Sequence, residues 1–416
     1  MQQPEQRSAT RSRMREILLG SGVVVVGLCA RALVDKMLAL HASRDLVAHW
    51  AQLQSVFELV AGVALSGIGH GITVYASRHN QDPVSLLRSG LFWGLSLSGL
   101  VAIALLSGMT TLNEVVHREL LQGSELTSWA IAAGWLSVLS GLFYAYWLGR
   151  KWRGRMLLLM TAIWTPMALA ALGLFGAPSL LLLVRVQLAT HALLACALVL
   201  SFNWKGAARR KPGGTKLYAY LPAGLSIGIL SPASQAWSRA EIASRLSWGD
   251  VSQLQALWRT SEWITLLSAN ILMLIFLPRF SVSASKTGLR SELFRAWLII
   301  ALPAGVALAG IWVFQPVLLQ QLYDTRFIMP AGVSALFLLG DTLRVASWVL
   351  LMALFATEKV KAIAIGEWLS LPLFALLITL FPLTSLKAVG YYYLLTYAVY
   401  LCFNIYCLRR TLFTSS

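Results

Sequence analysis

Ten ionisable side chains lie inside stretches apolar enough to cross a membrane: Arg31, Lys36, Arg185, Arg259 and Arg344, with Asp35, Glu58, Glu262, Asp341 and Glu367. A charge in hydrocarbon costs on the order of several kcal/mol, so such groups face a bundle interior or a wet cavity and mark a transport path. Three opposite-sign pairs are spaced one helical turn apart: Arg31 with Asp35, Arg259 with Glu262, and Asp341 with Arg344. Residues three or four apart share a helix face, so each pair can neutralise itself while pointing inward. Removing one partner strands the other charge. Two readings follow. The pairs are bridges that hold helices together, or they line a wet, charged chamber, which three such pairs favour over a dry bundle.

The remaining candidates carry less. His70, within Gly67-Ile68-Gly69-His70-Gly71, is of the residue type suited to proton transfer and is either a proton carrier or a hydrogen-bonded structural histidine. Arg185, near a helix end, can snorkel to the interface. Lys36 and Glu367 are intermediate, and Glu367 suits an interfacial place as well as a buried one. Pro222 and Pro232 favour kinks in the seventh stretch. Tyr391, Tyr392, Tyr393, Tyr397 and Tyr400 read as an interfacial belt and packing, and Cys29, Cys196, Cys402 and Cys407 as buried small apolar residues. No nucleophile-base cluster, phosphate-cradling glycine loop or metal spacing appears, so an enzyme is not expected, nor a cofactor other than a coupling cation, proton or sodium.

Helices must position these groups. At 416 residues and 57% hydrophobic, with mean hydropathy +0.69, the chain is too apolar for a soluble globular protein. Crossing roughly 30 Å of hydrocarbon takes about 20 helical residues. Twelve spans are expected near 17–40, 46–77, 86–108, 128–149, 156–176, 180–202, 217–238, 252–278, 292–314, 330–356, 361–381 and 386–408. The net charge of +17 is distributed by side. With a cytoplasmic N-terminus, the cytoplasmic segments hold 23 of the 34 Lys and Arg residues, the other side six and the membrane five. This is the positive-inside asymmetry, so both termini are expected in the cytoplasm and nucleic acid is not an expected partner.

Six spans precede a basic linker and six follow, giving a tail 1–16, a lobe 17–204, a linker 205–216, a lobe 217–408 and a tail 409–416. An offset of 201 lays Ser244-Arg245 on Ser43-Arg44 and Gln253-Leu254-Gln255 on Gln52-Leu53-Gln54. An even number of spans per half gives both halves one orientation, related by a pseudo-two-fold axis along the membrane normal. The expected fold is therefore an all-α integral membrane protein of twelve helices in two six-helix lobes.

A further signal runs through Ser247-Trp248-Gly249-Asp250-Val251, Leu277-Pro278-Arg279, Gly340-Asp341-Thr342-Leu343-Arg344-Val345, Glu367 and Thr396-Tyr397-Ala398-Val399-Tyr400. The first half adds Gln52 and the Gly67–Gly71 stretch ending in Tyr75. On these residues the chain resembles bacterial flippases for lipid-linked oligosaccharides. They form the polysaccharide-transport branch of the multidrug/oligosaccharidyl-lipid/polysaccharide (MOP) exporter superfamily, in the group serving O-antigen, a part of lipopolysaccharide, and enterobacterial common antigen. The resemblance implies an inner-membrane protein that carries an undecaprenyl-diphosphate-linked repeat unit between leaflets by alternating access around a central cavity. By that analogy Arg31, Arg259 and Arg344 receive the diphosphate or anionic sugars, because a planar guanidinium binds phosphate oxygens in pairs. Asp35, Glu58, Glu262 and Asp341 tune those arginines or carry a coupling cation. Polysaccharide polymerase and chain-length machinery are the implied partners, beside membrane lipid.

Four rivals stand against this. A multidrug cation/proton antiporter of the same superfamily shares fold and repeat. The flippase for the peptidoglycan precursor usually carries two further helices. A major-facilitator sugar transporter would show a glycine-acid-basic signature that Arg78-His79-Asn80-Gln81-Asp82-Pro83 lacks. A non-transporting scaffold would leave the charged pairs idle.

Overall fold

The computed structural model describes residues 22–23, 25–40, 45–77, 83–108, 124–202, 217, 221–283, 288–357 and 359–413. The tail 1–16, the linker 205–216, the loop 78–82 and residues 414–416 lie outside them. Among the described residues every regular element is a helix. Lipid offers no partner to a backbone N–H or C=O, so a chain this apolar satisfies its backbone within each segment.

Helix α1 covers residues 25–40. Helix α2 (Asp45–Ala64) runs through a π turn (Leu65–Gly69) into α3 (His70–Ser77). Next come α4 (Pro83–Ser107), α5 (Ser124–Gly149), α6 (Arg153–Ala171), α7 (Leu180–Ser201), α8 (Leu221–Arg245) and α9 (Trp248–Ile271). A second π turn (Leu272–Phe276) joins α9 to α10 (Leu277–Ser283), and a third (Trp297–Ala301) joins α11 (Leu289–Ala296) to α12 (Leu302–Leu322). The chain ends with α13 (Ala331–Ala356), α14 (Val360–Trp368), α15 (Leu371–Leu380) and α16 (Leu386–Phe413). Helix starts follow local chemistry. The Ser179 hydroxyl accepts from the Leu182 N–H at α7. At α9 the Ser247 hydroxyl accepts from the Asp250 N–H and donates to Asp250 Oδ2 at 2.6 Å, satisfying an orphan donor of the first turn.

Nine helical segments among the described residues are long and apolar enough to cross a membrane. Of the other three expected spans, the first is described from residue 22 onward, while α8 and α9 are 25 and 24 residues long but more polar. The polarity of α9 points inward: Ser252, Gln255, Thr260, Ser261, Thr265 and Ser268 are buried beside Val251, Leu254 and Leu257. Elsewhere the apolar surface faces outward, as at Leu200 and Leu193, which lipid tolerates at no cost. Cys29, Cys196 and Cys402 are exposed as well, which corrects the expectation of buried cysteines.

The chain divides into two compact units, Met1–Ser43 with Gln52–Pro232, and Arg44–Ala51 with Ala233–Ser416. The first has a core of Ile68, Ile72, Leu86, Leu142, Phe143 and Tyr146. Within it α2 and α8 meet backbone to backbone: a Cβ on Gly228 would stand 2.3 Å from the Gly62 carbonyl oxygen, so neither position has room for a side chain. The second unit has one core around Leu254, Leu257, Phe337, Phe374 and Tyr393, and another around Phe276, Phe280, Val349 and Leu354.

Candidate functional site

In the second unit two acid-base pairs close within single helices. On α9 the Arg259 Nη1 donates to Glu262 Oε2 at 2.7 Å. On α13 the Arg344 Nη1 donates to Asp341 Oδ1 at 3.3 Å, and Asp341 is only 1% exposed. A third helix completes this second pair. The hydroxyl of Tyr393 on α16 donates to the same Oδ1 at 2.7 Å and accepts from Arg344 Nη1 at 3.3 Å. The guanidinium lies over Trp348 at 4.7 Å and Tyr397 at 5.9 Å, so ring faces replace part of its hydration. A carboxylate this deep needs its oxygens satisfied, and a donor hydroxyl plus a cation do that.

Packing fixes this cluster. The Tyr393 ring sits among Trp258, Phe337, Phe374 and Tyr397. It crosses α13 directly over Gly340, where a Cβ would stand 2.5 Å from Tyr393 Cδ1. The glycine before Asp341 is thus the gap that admits the tyrosine.

The first unit arranges its charges more loosely. Arg31 on α1 reaches Glu58 on α2 at 3.9 Å, with the two side chains 34% and 39% exposed. Its guanidinium also lies 5.2 Å over Trp164 of α6. Asp35, one turn along α1, is buried, and Lys36 is half-buried. Arg185 pairs with Glu125 at 3.3 Å in the open and lies 5.4 Å over Trp129. His70 is exposed on α3, directly after the π turn. In the second unit Glu367 is half-buried in the last turn of α14, where the chain breaks at Leu369-Ser370 before α15 restarts with Pro372 in its first turn. The structure therefore joins Arg259 with Glu262, Asp341 with Arg344, and Arg31 with Glu58, while Arg185 pairs with Glu125 and His70 is exposed.

Sequence reasoning passed over four features. Tyr393, Tyr397 and Tyr400 are buried, which fits the packing half of their reading and corrects the interfacial-belt half, while Tyr391 is exposed. Their spacing of four and three residues is the stripe that could have signalled an inward face. Gln54 and Gln187 exchange amide hydrogen bonds at 3.1 and 3.4 Å. One turn on from Gln187, His191 is 4% exposed and packs its ring 5.5 Å from Phe57. Polar residues at i and i+4 in an apolar helix were the available signal. Arg239, one of the six basic residues counted on the non-cytoplasmic side, is 3% exposed. It donates to Gln255 Oε1, to the Ala51 carbonyl and to Gln235 Oε1 at 3.0 to 3.2 Å. Only neighbours from other helices, Gln255 of α9 and the Ala51 carbonyl of α2 among them, reveal that burial.

No protein-family model matches the chain, and no curated protein matches it. Solved structures do. A multidrug resistance MATE family transporter of the MOP superfamily, in an inward-facing conformation, superposes with a TM-score of 0.72 at 14% identity, covering 96% of this chain and all of that one. The lipid II flippase MurJ, in an inward closed conformation, gives a TM-score of 0.70 at 13% identity over 95% of this chain and 87% of its own. A MOP superfamily transporter from Pyrococcus furiosus, described as having a binding pocket of reversed polarity, gives 0.61 at 12% identity over 96% and 95%. The chain has the fold of these transporters. With nine helices of spanning length and apolarity among the described residues, it is a multi-pass membrane protein.

Proposed function

We propose that this protein is a flippase that carries an undecaprenyl-diphosphate-linked oligosaccharide from the cytoplasmic to the periplasmic leaflet of a bacterial inner membrane, for assembly of a surface polysaccharide such as O-antigen or common antigen. It works by alternating access through twelve spans in two lobes, with both termini cytoplasmic, and draws on a proton or sodium gradient. Polysaccharide polymerase and chain-length machinery receive its product. Arg31, Arg259 and Arg344 bind the head group, while Asp35, Glu58, Glu262 and Asp341 set their charge balance or take up the coupling cation. The polyprenyl tail stays in lipid.

The observation that carries this reading is Arg344. It is a permanently charged fork on a helix whose other charged residue is Asp341, held by Asp341 and Tyr393 and backed by two aromatic rings, yet its side chain stays 24% exposed. A cation retained in that setting at the cost of burial suits an anionic ligand better than a role in packing. The likeness to a lipid-linked flippase supports the same class of cargo.

The alternative reading is a multidrug cation/proton antiporter. The fold likeness to MATE transporters favours it, together with the carboxylates Asp35, Glu58, Glu262 and Asp341. Deleting the gene and analysing lipid-linked glycans separates the two. A flippase leaves one undecaprenyl-linked oligosaccharide on the cytoplasmic leaflet, and Arg259→Ala or Arg344→Ala fails to clear it. Unchanged glycans with altered drug susceptibility would favour the antiporter, and normal surface glycan in both variants would remove the site assignment.

A further inference from the structure

We propose that Tyr393 is a positioning residue that aims the Arg344 guanidinium, with Gly340 as the gap that lets it do so. This rests on the reading of Arg344 as a head-group ligand. Among the described residues both hydrogen bonds of the Arg344 side chain run through one nitrogen, Nη1, to Asp341 Oδ1 and to the Tyr393 hydroxyl. Nε and Nη2 donate to no described residue, and neither is a buried orphan. These two form the side-on edge of the fork, whose parallel N–H groups match two oxygens of a phosphate.

The holding geometry defines which way that edge faces. Trp348 and Tyr397 flank the guanidinium and limit its tilt. Asp341 alone would leave rotation about a single Nη1 contact open. The Tyr393 oxygen adds a second fixed point on the same nitrogen, and it is itself pinned by its 2.7 Å bond to Asp341 Oδ1. The ring that carries this hydroxyl is 1% exposed and locked among Trp258, Phe337 and Phe374. It occupies the space a Cβ on Gly340 would fill, 2.5 Å from Cδ1. The chain thus spends a glycine beside the acid and a buried tyrosine to present one edge of one arginine. Two-oxygen anions are the ligand class that edge selects, and the proposed cargo supplies them as diphosphate.

The test uses the full-length protein in nanodiscs of phosphatidylethanolamine and phosphatidylglycerol, titrated with undecaprenyl diphosphate. Tyr393→Phe keeps the ring and removes only the hydroxyl, and it should weaken binding roughly tenfold, the effect of losing one hydrogen bond to a charged group. Abundance and elution profile should match the parent. In the Arg344→Ala background the same substitution should change nothing further, because Tyr393 acts only through the arginine. Gly340→Ala, which displaces the ring, should weaken binding in the same Arg344-dependent way. It provides a second reading if the tyrosine variant fails to fold. Full binding by Tyr393→Phe, or an equal loss with and without Arg344, overturns the inference and leaves the head-group assignment standing. Full binding by Arg344→Ala overturns both.

Discussion

Arg31 and Arg344 are the same residue type, each one turn from an acid on an apolar helix, but they are held in different ways. Arg31 meets Glu58 at 3.9 Å with more than a third of both side chains open. Arg344 meets a carboxylate that is 1% exposed, and a buried tyrosine bonds to both partners. The difference lies in a hydroxyl from a neighbouring helix that bonds to both charges. In the first unit α1 and α2 bring two charges together at 3.9 Å, Trp164 of α6 lies against the arginine, and both charges stay open to solvent, so the pair gains little and gives up little. In the second unit α16 supplies a hydroxyl and an aromatic wall, water is displaced from the acid, and each partner then depends on the others. Charge spacing alone does not separate a weak surface contact from a tightly coupled network.

The largest expected effect comes from cutting that network. Arg344→Ala leaves Asp341 buried with Tyr393 alone and should cost about 3–5 kcal/mol, read as thermal unfolding in detergent. The double variant Asp341→Asn with Arg344→Gln should regain most of that stability and none of the transport. A single-variant loss no greater than that of Arg31→Ala would erase the distinction between the units. Next comes Gly228→Ala in the first unit, whose added methyl would meet the Gly62 backbone oxygen and should cost about 1–3 kcal/mol or more. Gly90→Ala is the control. Its methyl would meet side chains rather than backbone, with the end of Ile72 nearest, so membrane abundance should fall much less than for Gly228→Ala.

Smaller effects sharpen the contrast. Tyr393→Phe should lower stability by about 1–2 kcal/mol through the lost charged hydrogen bond, whereas Tyr391→Phe at an exposed position should leave the melting curve unchanged. Arg31→Ala should cost less than about 1 kcal/mol, so any loss of the proposed glycan export in that variant reports on ligand binding rather than folding. Raising salt should shift the melting curve of the parent no more than that of Arg31→Ala if the pair contributes nothing measurable.

Much of this was legible along the chain, and the reason is geometric. Apolar runs of about 20 residues can only be helices in lipid, so the class of fold follows from composition. A period of 3.6 residues puts Arg259 and Glu262, Asp341 and Arg344, and Arg344 and Trp348 on shared faces, and all three neighbour relations are formed. What spacing cannot encode is the partner from another helix. The burial of Arg239 against Gln255 and the Ala51 carbonyl, the approach of Arg31 to Glu58, the Gln54–Gln187 exchange and the seat of Tyr393 over Gly340 all join positions far apart in the chain. The π turn at Leu65–Gly69 and the break at Leu369-Ser370 belong with them, since each turns the side chains after it to a new face. Sequence thus determined which residues could act, because periodicity is local. Tertiary structure decided which of them are held, because only packing between helices chooses between water and a neighbour as the partner of a charge.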